Sequence, residues 1–170
     1  FCCPMCHAPN PGGLCCATCR QNSSLQSMAA VTSYDEQALI GRILRAWKYQ
    51  YAEELFPVLS RGIQQFLDSA VENIKKCDLI VPVPLHPRRF AERGFNQSHL
   101  IATVISLVIV REVMAALIRQ RYTLPQARLK KAAREKNIFQ AFVLSKKISV
   151  KGARVLMVDD VVSHILGRTP

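Results

Sequence analysis

The stretch Asp78-Leu79-Ile80-Val81-Pro82-Val83-Pro84-Leu85-His86-Pro87 decides how this chain of 170 residues folds. Asp78 to Val81 reads as a short apolar run without alternation, the pattern of a strand covered on both faces and hence of a parallel sheet. Pro82, Pro84 and Pro87 carry no N–H, so the ladder is expected to end there and the chain to leave the sheet at the strand's carboxyl end. The loop Arg88-Arg89-Phe90-Ala91-Glu92-Arg93-Gly94-Phe95-Asn96-Gln97 follows directly. Beyond it the pattern predicts a helix over about Ser98 to Ala116, another over about Pro125 to Lys136, and short strands near Ala141–Leu144 and Arg154–Val158. Strands alternating with helices make the expected fold class α/β, a mostly parallel sheet flanked by helices.

Upstream of the strand, Ser33-Tyr34-Asp35-Glu36 has the form of a capping box ahead of Leu39, Ile40, Ile43, Leu44 and Trp47, an apolar stripe at helical spacing. A helix over about Tyr34 to Lys48 is expected. A second, over about Pro57 to Lys75, would carry Leu59, Ile63, Phe66, Leu67 and Val71 on one face, with Pro57 tolerated in its first turn. Both read as core helices. Cys77 stands alone before the strand and is expected to be a buried or partly buried structural thiol.

Six of the seven cysteines fall in the first 19 residues, FCCPMCHAPNPGGLCCATC. Cys3-x2-Cys6 and Cys16-x2-Cys19 form two knuckles, and four thiolates so spaced can surround a zinc ion because each turn presents two sulfurs to one point. Pro11-Gly12-Gly13 permits the return between them. A disulfide framework is the competing reading, and it needs an oxidising compartment that nothing else in the sequence supports. The ligand register stays open, since Cys2 and Cys15 also allow C-x3-C pairs and His7 could replace one thiolate. Residues 20–32 are small and polar, which suits a linker.

Nearly half the residues are hydrophobic (49%) and only 21% are charged, enough to bury a core and too few charges for a disordered basic tail. The longest apolar run, Leu100 to Val110, is shorter than the roughly 18 residues needed to cross a bilayer and is closed by Arg111, so no membrane span is expected. The chain opens on cysteines rather than on a basic and then apolar leader, so no secretory signal is expected and the reading is cytoplasmic. Four basic and four acidic side chains cancel over residues 1–57, so all of the net +11 lies in residues 58–170. Arg119 to Arg154 holds eleven basic residues against Glu135 alone. Such a block suits an anionic partner, a phosphorylated small molecule or nucleic acid, or else a solvated helix face.

Ligands of open parallel sheets bind beyond the carboxyl ends of the strands. One segment placed there is the Arg88–Gln97 loop, whose arginines suit bidentate phosphate contacts and whose Gly94 lets backbone approach an anion. The other is Val155-Leu156-Met157-Val158-Asp159-Asp160-Val161-Val162, read as a buried strand ending in two carboxylates. Paired acids there suit the diol of a ribose or a hydrated Mg2+, unless one of them merely caps the next helix.

With these residues in view, the sequence closely resembles the ComF/GntX-type phosphoribosyltransferase-like proteins, a family associated with competence and with the uptake or use of DNA. The resemblance runs through the Cys-x2-Cys pairs, Leu44-Arg45-Ala46-Trp47-Lys48-Tyr49, Asp78 to His86 and Arg93-Gly94-Phe95-Asn96-Gln97. It continues through Arg119, Arg121, Thr123, Gln126, Arg134, Asn137 and Phe142 to Val155–Val162, and so covers almost the whole chain in order. It implies a zinc ribbon and linker over residues 1–32 and a type I phosphoribosyltransferase-like domain, incomplete at its C-terminal end, over residues 33–170. The implied ligand is phosphoribosyl pyrophosphate with Mg2+. Asp159 and Asp160 match the acidic pair that holds the ribose hydroxyls, while Arg88, Arg93, Gly94, Asn96 and Gln97 would face the pyrophosphate or the acceptor. In such enzymes the ribosyl C1 gains oxocarbenium character as pyrophosphate leaves, and the protein supplies positioning and charge stabilisation.

The family's Thr-Thr-Gly-x-Thr loop, which cradles the 5-phosphate at a helix N-terminus, is matched only partly by Ser163-His164-Ile165-Leu166-Gly167-Arg168-Thr169-Pro170. Ser163 stands for the first threonine, and Gly167 and Thr169 fit Gly-x-Thr with two residues inserted. A shifted or truncated reading frame is the expectation, with weak or absent transferase activity. The alternative to an enzyme is an accessory module of DNA uptake, its zinc ribbon meeting a helicase-like partner and Arg128, Lys130, Lys131 and Arg134 lying along single-stranded DNA. Aromatic residues make up only 7% of the chain, which does not favour extensive base stacking.

Overall fold

The structure is a computed structural model that describes residues 3–10, 13–50, 53–70, 72–123 and 136–162. Cys2, Val71, nearly all of the helix expected over Pro125–Lys136, and everything after Val162 lie outside the described residues.

Strand β1 (Leu79–Pro82) is buried at all four positions, as its unbroken apolar run requires. It pairs in parallel with β4 (Val155–Val158), Leu79 opposite Val155 and Pro82 opposite Val158. Its other edge meets residues 112–114: Ile80 donates to the Glu112 carbonyl (2.9 Å) and accepts from Met114 (2.8 Å). The ladder therefore runs one residue further than its prolines suggested. Backbone groups of a strand alternate between its two neighbours, so the N–H that Pro82 lacks would have faced the 112–114 side, while Val83 still donates to Val158 (2.9 Å).

Side-chain alternation along β1 divides the core. Ile80 points into a cluster with Ile63 and Leu67 of α3 (Phe56–Ala70), Ala102, Val104, Ile105 and Ile109 of α6 (Gln97–Ile109), and Val158. Leu79 and Val81 point the other way, against Ala116, Met114 and Ile148. Complete burial of Ile80 is worth roughly 2–3 kcal/mol. Cys77 is buried as expected.

Several elements differ from the sequence reading, each for a local reason. After the short α1 (Ala17–Gln21), helix α2 covers Leu39–Tyr49 rather than starting near Tyr34. The Asp35 carbonyl passes so close to Gly41 that a Cβ there would lie 2.1 Å from it, and Asp35 Oδ1 is occupied by the Gln37 N–H (2.9 Å). The segment 35–38 is thus a turn packed on the helix, not its first turn. Leu44 and Trp47 of the predicted stripe are buried, while Leu39 is exposed. The second predicted helix is present as α3 followed by α4 (Glu72–Lys75).

The Arg88–Gln97 loop is largely helical: α5 spans Pro87–Arg93, with Pro87 at its start, the His86 side chain accepting from the Arg88 N–H, and Gly94 closing it at φ 77°. Helix α6 stops at Ile109, short of the predicted Ala116, because Val110 adopts a left-handed conformation (φ 54°, ψ 59°) and turns the chain so that residues 112–114 can reach β1. The block after it forms β2 (Leu117–Arg119), antiparallel to β3 (Phe142–Leu144), so among the described residues the expected α/β arrangement is a small parallel sheet, β1 with β4 and the bridge to Val113, accompanied by one antiparallel pair. In β4 Val155 and Met157 are exposed, so among the described residues it is not the doubly covered strand expected from its composition. The supposed linker also folds back: Leu14 bridges Ser27, and Cys15 donates to Gln26 (2.8 Å). No helix among the described residues is long and apolar enough to cross a membrane.

Val110 is exposed and β-branched, so its left-handed backbone has little packing to offset the steric cost. Val110→Gly is expected to stabilise the fold by about 1 kcal/mol, read as a rise in the urea midpoint with an unchanged slope; a lower midpoint would contradict the role assigned to this turn.

Candidate functional site

Parallel pairing of β1 with β4 ends both strands at one edge, and the residues that emerge there gather into a polar cluster. Asp159 and Asp160 leave β4 directly. Asp159 Oδ1 accepts from Ser98 Oγ (2.9 Å) in the first turn of α6 and from the Asp160 N–H (2.9 Å). Asp160 Oδ2 is paired with Lys48 Nζ at 2.6 Å, with side-chain exposures of only 12% and 19%. Lys48 lies in the last turn of α2, which is pinned over the cluster by its neighbours. Trp47 is buried between the rings of Phe56 and Phe95, both at 5.8 Å, and Tyr49 lies under the Arg93 guanidinium at 5.0 Å. Asp159 as a residue is exposed. Desolvation of its carboxyl by the surrounding protein, followed by the charge of Asp160, pushes it up to about 6 against the opposing pull of Ser98 and Lys48.

Helix α5 brings the arginines. Arg93 donates to Gln97 Oε1 (3.3 Å), and the amide nitrogen of the fully buried Gln97 has no partner among the described residues. Arg89 donates to the carbonyl of the buried Thr123 (2.9 Å), whose hydroxyl accepts from Arg119. Burial and then the charges of Arg89 and Arg93 push the Arg119 guanidinium down, while Asp159 acts in the opposite sense, so these four groups share one field. Arg119 Nε is buried and has no partner among the described residues. Arg88 is turned outward, to Glu92 (3.4 Å) and over the Tyr122 ring (5.1 Å). Asn96 caps α6 through Ser98 and holds the Val83 carbonyl (3.1 Å), so both ends of its amide are engaged by the fold, and Gly94 supplies the left-handed turn between α5 and α6.

Of the residues read from the sequence, the structure thus brings Asp159, Asp160, Arg93 and Gln97 to one cluster and leaves Arg88 at its outer side. Ser163, Gly167 and Thr169, and the basic residues Arg128, Lys130, Lys131 and Arg134, lie outside the described residues. Lys48, Ser98 and Arg89 were not singled out individually. Ser98 is a small polar residue in a first helical turn and Lys48 a lysine in a last one, commonplaces that only the parallel register turns into neighbours of the acids.

Magnesium, which the resemblance brings with the pyrophosphate, does not fit this acid pair as a protein-bound ion. One oxygen of Asp160 is taken by an ammonium and one of Asp159 by two hydrogen bonds, and an ion with its waters at the remaining oxygens would lie against the Lys48 charge.

A second candidate centre lies in the N-terminal module. The sulfurs of Cys3, Cys6, Cys16 and Cys19 all fall within 4.8 Å of one another, a set that could hold a metal ion such as zinc. His7 is not part of that group. Cys6 and Cys16 sulfurs are 3.8 Å apart, well beyond a disulfide bond of about 2.0 Å and equal to the edge of a tetrahedron with sulfurs about 2.3 Å from zinc. The Cys16 N–H points at Cys3 Sγ (3.4 Å), and that hydrogen bond above all brings the Cys3 thiol down to about 6. Its neighbour Cys19 is pushed up to about 12, first by its hydrogen bond with Cys16 and then by burial. Without a cation, four sulfurs this close cannot all ionise.

Curated proteins similar to this chain share one theme. DNA utilization protein YhgH of Escherichia coli K12 is 31% identical over 166 residues, which cover 95% of this chain and 71% of that protein. Competence protein ComFC of Bacillus subtilis is 24% identical over 93% of this chain and 64% of its own length. Competence protein F of Haemophilus influenzae is 28% identical over 87% and 66%. No protein-family model and no solved structure matches.

Two outcomes follow from the geometry. Because the native state holds the Asp159 proton up to about 6 and the unfolded chain only to about 3.9, folding binds a proton between these values. Stability therefore falls as pH rises through that window and the cost is fully present above it. Asp159→Asn, which keeps an acceptor for Ser98, should melt above the wild type at pH 7 and converge with it near pH 4; a wild type that outlasts the variant at pH 7 would refute the assignment. For the cysteine centre, purified protein should carry one equivalent of zinc by elemental analysis, and Cys16→Ser should lose it together with several degrees of melting temperature; a full zinc content in Cys16→Ser would sink the four-sulfur assignment.

Proposed function

This chain belongs to the ComF family of DNA-utilization and competence proteins, and on that footing we propose that it serves the handling of incoming DNA by holding a phosphoribosyl ligand at the strand end that carries Asp159 and Asp160. The observation that carries this reading is the convergence, at the carboxyl edge of a parallel strand pair, of two carboxylates with Arg89, Arg93 and Arg119. Vicinal hydroxyls donate to carboxylates, and guanidinium forks match phosphate oxygens, so a single sugar phosphate satisfies both halves of the polar cluster. Phosphoribosyl pyrophosphate is the ligand of this class that the family resemblance names. The buried orphan donors on Gln97 and Arg119 support an anionic group nearby, since donors left dry in a fold ordinarily find a partner in a ligand or water.

In this reading the acids orient the ribose and the arginines draw the phosphate charge, which is positioning and electrostatic work that needs no nucleophile. Residues 33–170 form the ligand domain. Residues 1–32 form a module in which zinc ties Cys3, Cys6, Cys16 and Cys19, and which meets a helicase-like protein. Any magnesium that accompanies the pyrophosphate would be carried by the ligand.

One observation favours a second, compatible activity. Tyr122 is part-exposed and bears the guanidinium groups of Arg88 (5.1 Å) and Arg89 (5.6 Å), with His86 at its edge (5.3 Å). Phe90 is exposed on the same short helix. An aromatic face framed by arginines is how single-stranded DNA is held without regard to sequence.

Phosphoribosyl pyrophosphate titrated into labelled protein should shift the amide signals of Ser98, Asp159 and Asp160, and Asp159→Asn with Asp160→Asn should weaken binding about tenfold or more. A wild type whose signals do not respond at millimolar ligand would end the phosphoribosyl reading. For the second activity, Tyr122→Ala should cost about tenfold in affinity for a short oligothymidylate at low salt; unchanged, salt-insensitive binding would remove it.

A further inference from the structure

The place where the acid pair refuses a metal is also where it already has a cation. We propose that Lys48 takes the position of a divalent ion at Asp160, so that the chain itself, through α2, sets the charge and orientation of the two acids. Lys48 acts through Asp160, and is therefore a positioning residue. The proposal rests on the polar cluster being the ligand site described above.

Three observations support it. Lys48 Nζ stands 2.6 Å from Asp160 Oδ2 with both side chains largely withdrawn from water. An ion bound at that oxygen would need its first shell of waters where the ammonium now sits, and would meet a like charge there. The backbone of the lysine is held in place. The residues on either side of it are anchored, Trp47 between Phe56 and Phe95 and Tyr49 beneath Arg93, so the stem of Lys48 starts from a fixed point within reach of Asp160. The surroundings add to the effect. Arg119, whose hydroxyl partner Thr123 also holds Arg89 through its carbonyl, feels the charge of Asp159, so a second cation besides Lys48 acts on the acid pair and opposes a further one. Burial of an ion pair also explains the choice of orientation: with Lys48 on one oxygen of Asp160 and Ser98 on one of Asp159, each acid has its other oxygen left for hydroxyl donors, and neither takes a hydrogen bond there from the described residues.

Manganese reports such a site without any sugar ligand, because it prefers carboxylate oxygens and broadens the NMR signals of nearby amides. In the zinc-loaded, labelled wild-type protein, millimolar Mn2+ should leave the Ser98, Asp159 and Asp160 signals sharp. Lys48→Met should make those signals broaden, and Lys48→Arg should keep them sharp. Broadening in the wild type overturns the proposal by itself, whether or not the methionine variant folds, and so does a folded Lys48→Met that stays insensitive. Trp47 is the only tryptophan, and its emission reports directly whether the end of α2 has stayed packed in each variant. As a second arm, ribose 5-phosphate should bind the wild type equally in chelator and in Mg2+; about tenfold weaker binding in chelator would overturn the proposal. If neither ribose 5-phosphate nor phosphoribosyl pyrophosphate binds, the ligand assignment falls, while the manganese result still decides the place of Lys48.

Discussion

The parallel register of Leu79–Pro82 against Val155–Val158 is the constraint on which everything else depends. It joins segments more than seventy residues apart, fixes which residue of each strand comes last, and so sets Asp159 beside the start of α6. Burial of β1 on both faces makes that register hard to change. A slip by one residue would exchange Ile80, packed against α3 and α6, with Leu79 and Val81, packed against Ala116. The prolines after β1 then matter less as breakers of the ladder than as the exit that sends α5 and its arginines over the same edge.

Charge in this protein is arranged in layers around that edge. Asp78 and Arg154 pair at the opposite, entering end of the two strands, with the Arg154 N–H on the Asp78 carboxylate (2.7 Å), and this clamp helps close the register where no ligand is concerned. At the leaving end Asp160 is paired with Lys48, and Asp159 is held by Ser98. The first pair is exposed and adds modestly to stability; the second is partly desolvated, which raises Asp159 and makes its environment costly for the bare fold.

The cysteine module is organised on a different principle. Few apolar residues are available over the first 28, and Cys3 and Cys15 are among the few that are buried. Local backbone turns, the Leu14–Ser27 bridge and four convergent sulfurs take the place of a core, which is how small segments fold when a metal supplies the cross-link.

Much of this was legible in the sequence, and the remainder was not for identifiable reasons. Continuous apolar runs and Cys-x2-Cys spacing encode local geometry, so the buried strand β1, the paired strand ending in Asp159 and Asp160, the helices α2, α3 and α6, and the four-sulfur cluster could all be read directly. Element ends were misread where a tertiary contact overrode a local signal: the Ser33–Glu36 capping pattern gave way to close packing of Asp35 on Gly41, and the long apolar run after Ser98 was cut at Val110 so that residues 112–114 could reach β1. The exposure of Val155 and Met157 was likewise hidden, because composition tells which strand could be covered and not whether anything covers it. What residue order alone determined is the set of groups that leave the sheet and the sulfurs that gather at the N-terminal module. What only the tertiary structure decided is which groups face the acids, namely Ser98 from one helix and Lys48 from another, because ion pairs and hydrogen bonds between distant segments depend on position in space to within about an ångström and leave no periodic trace along the chain.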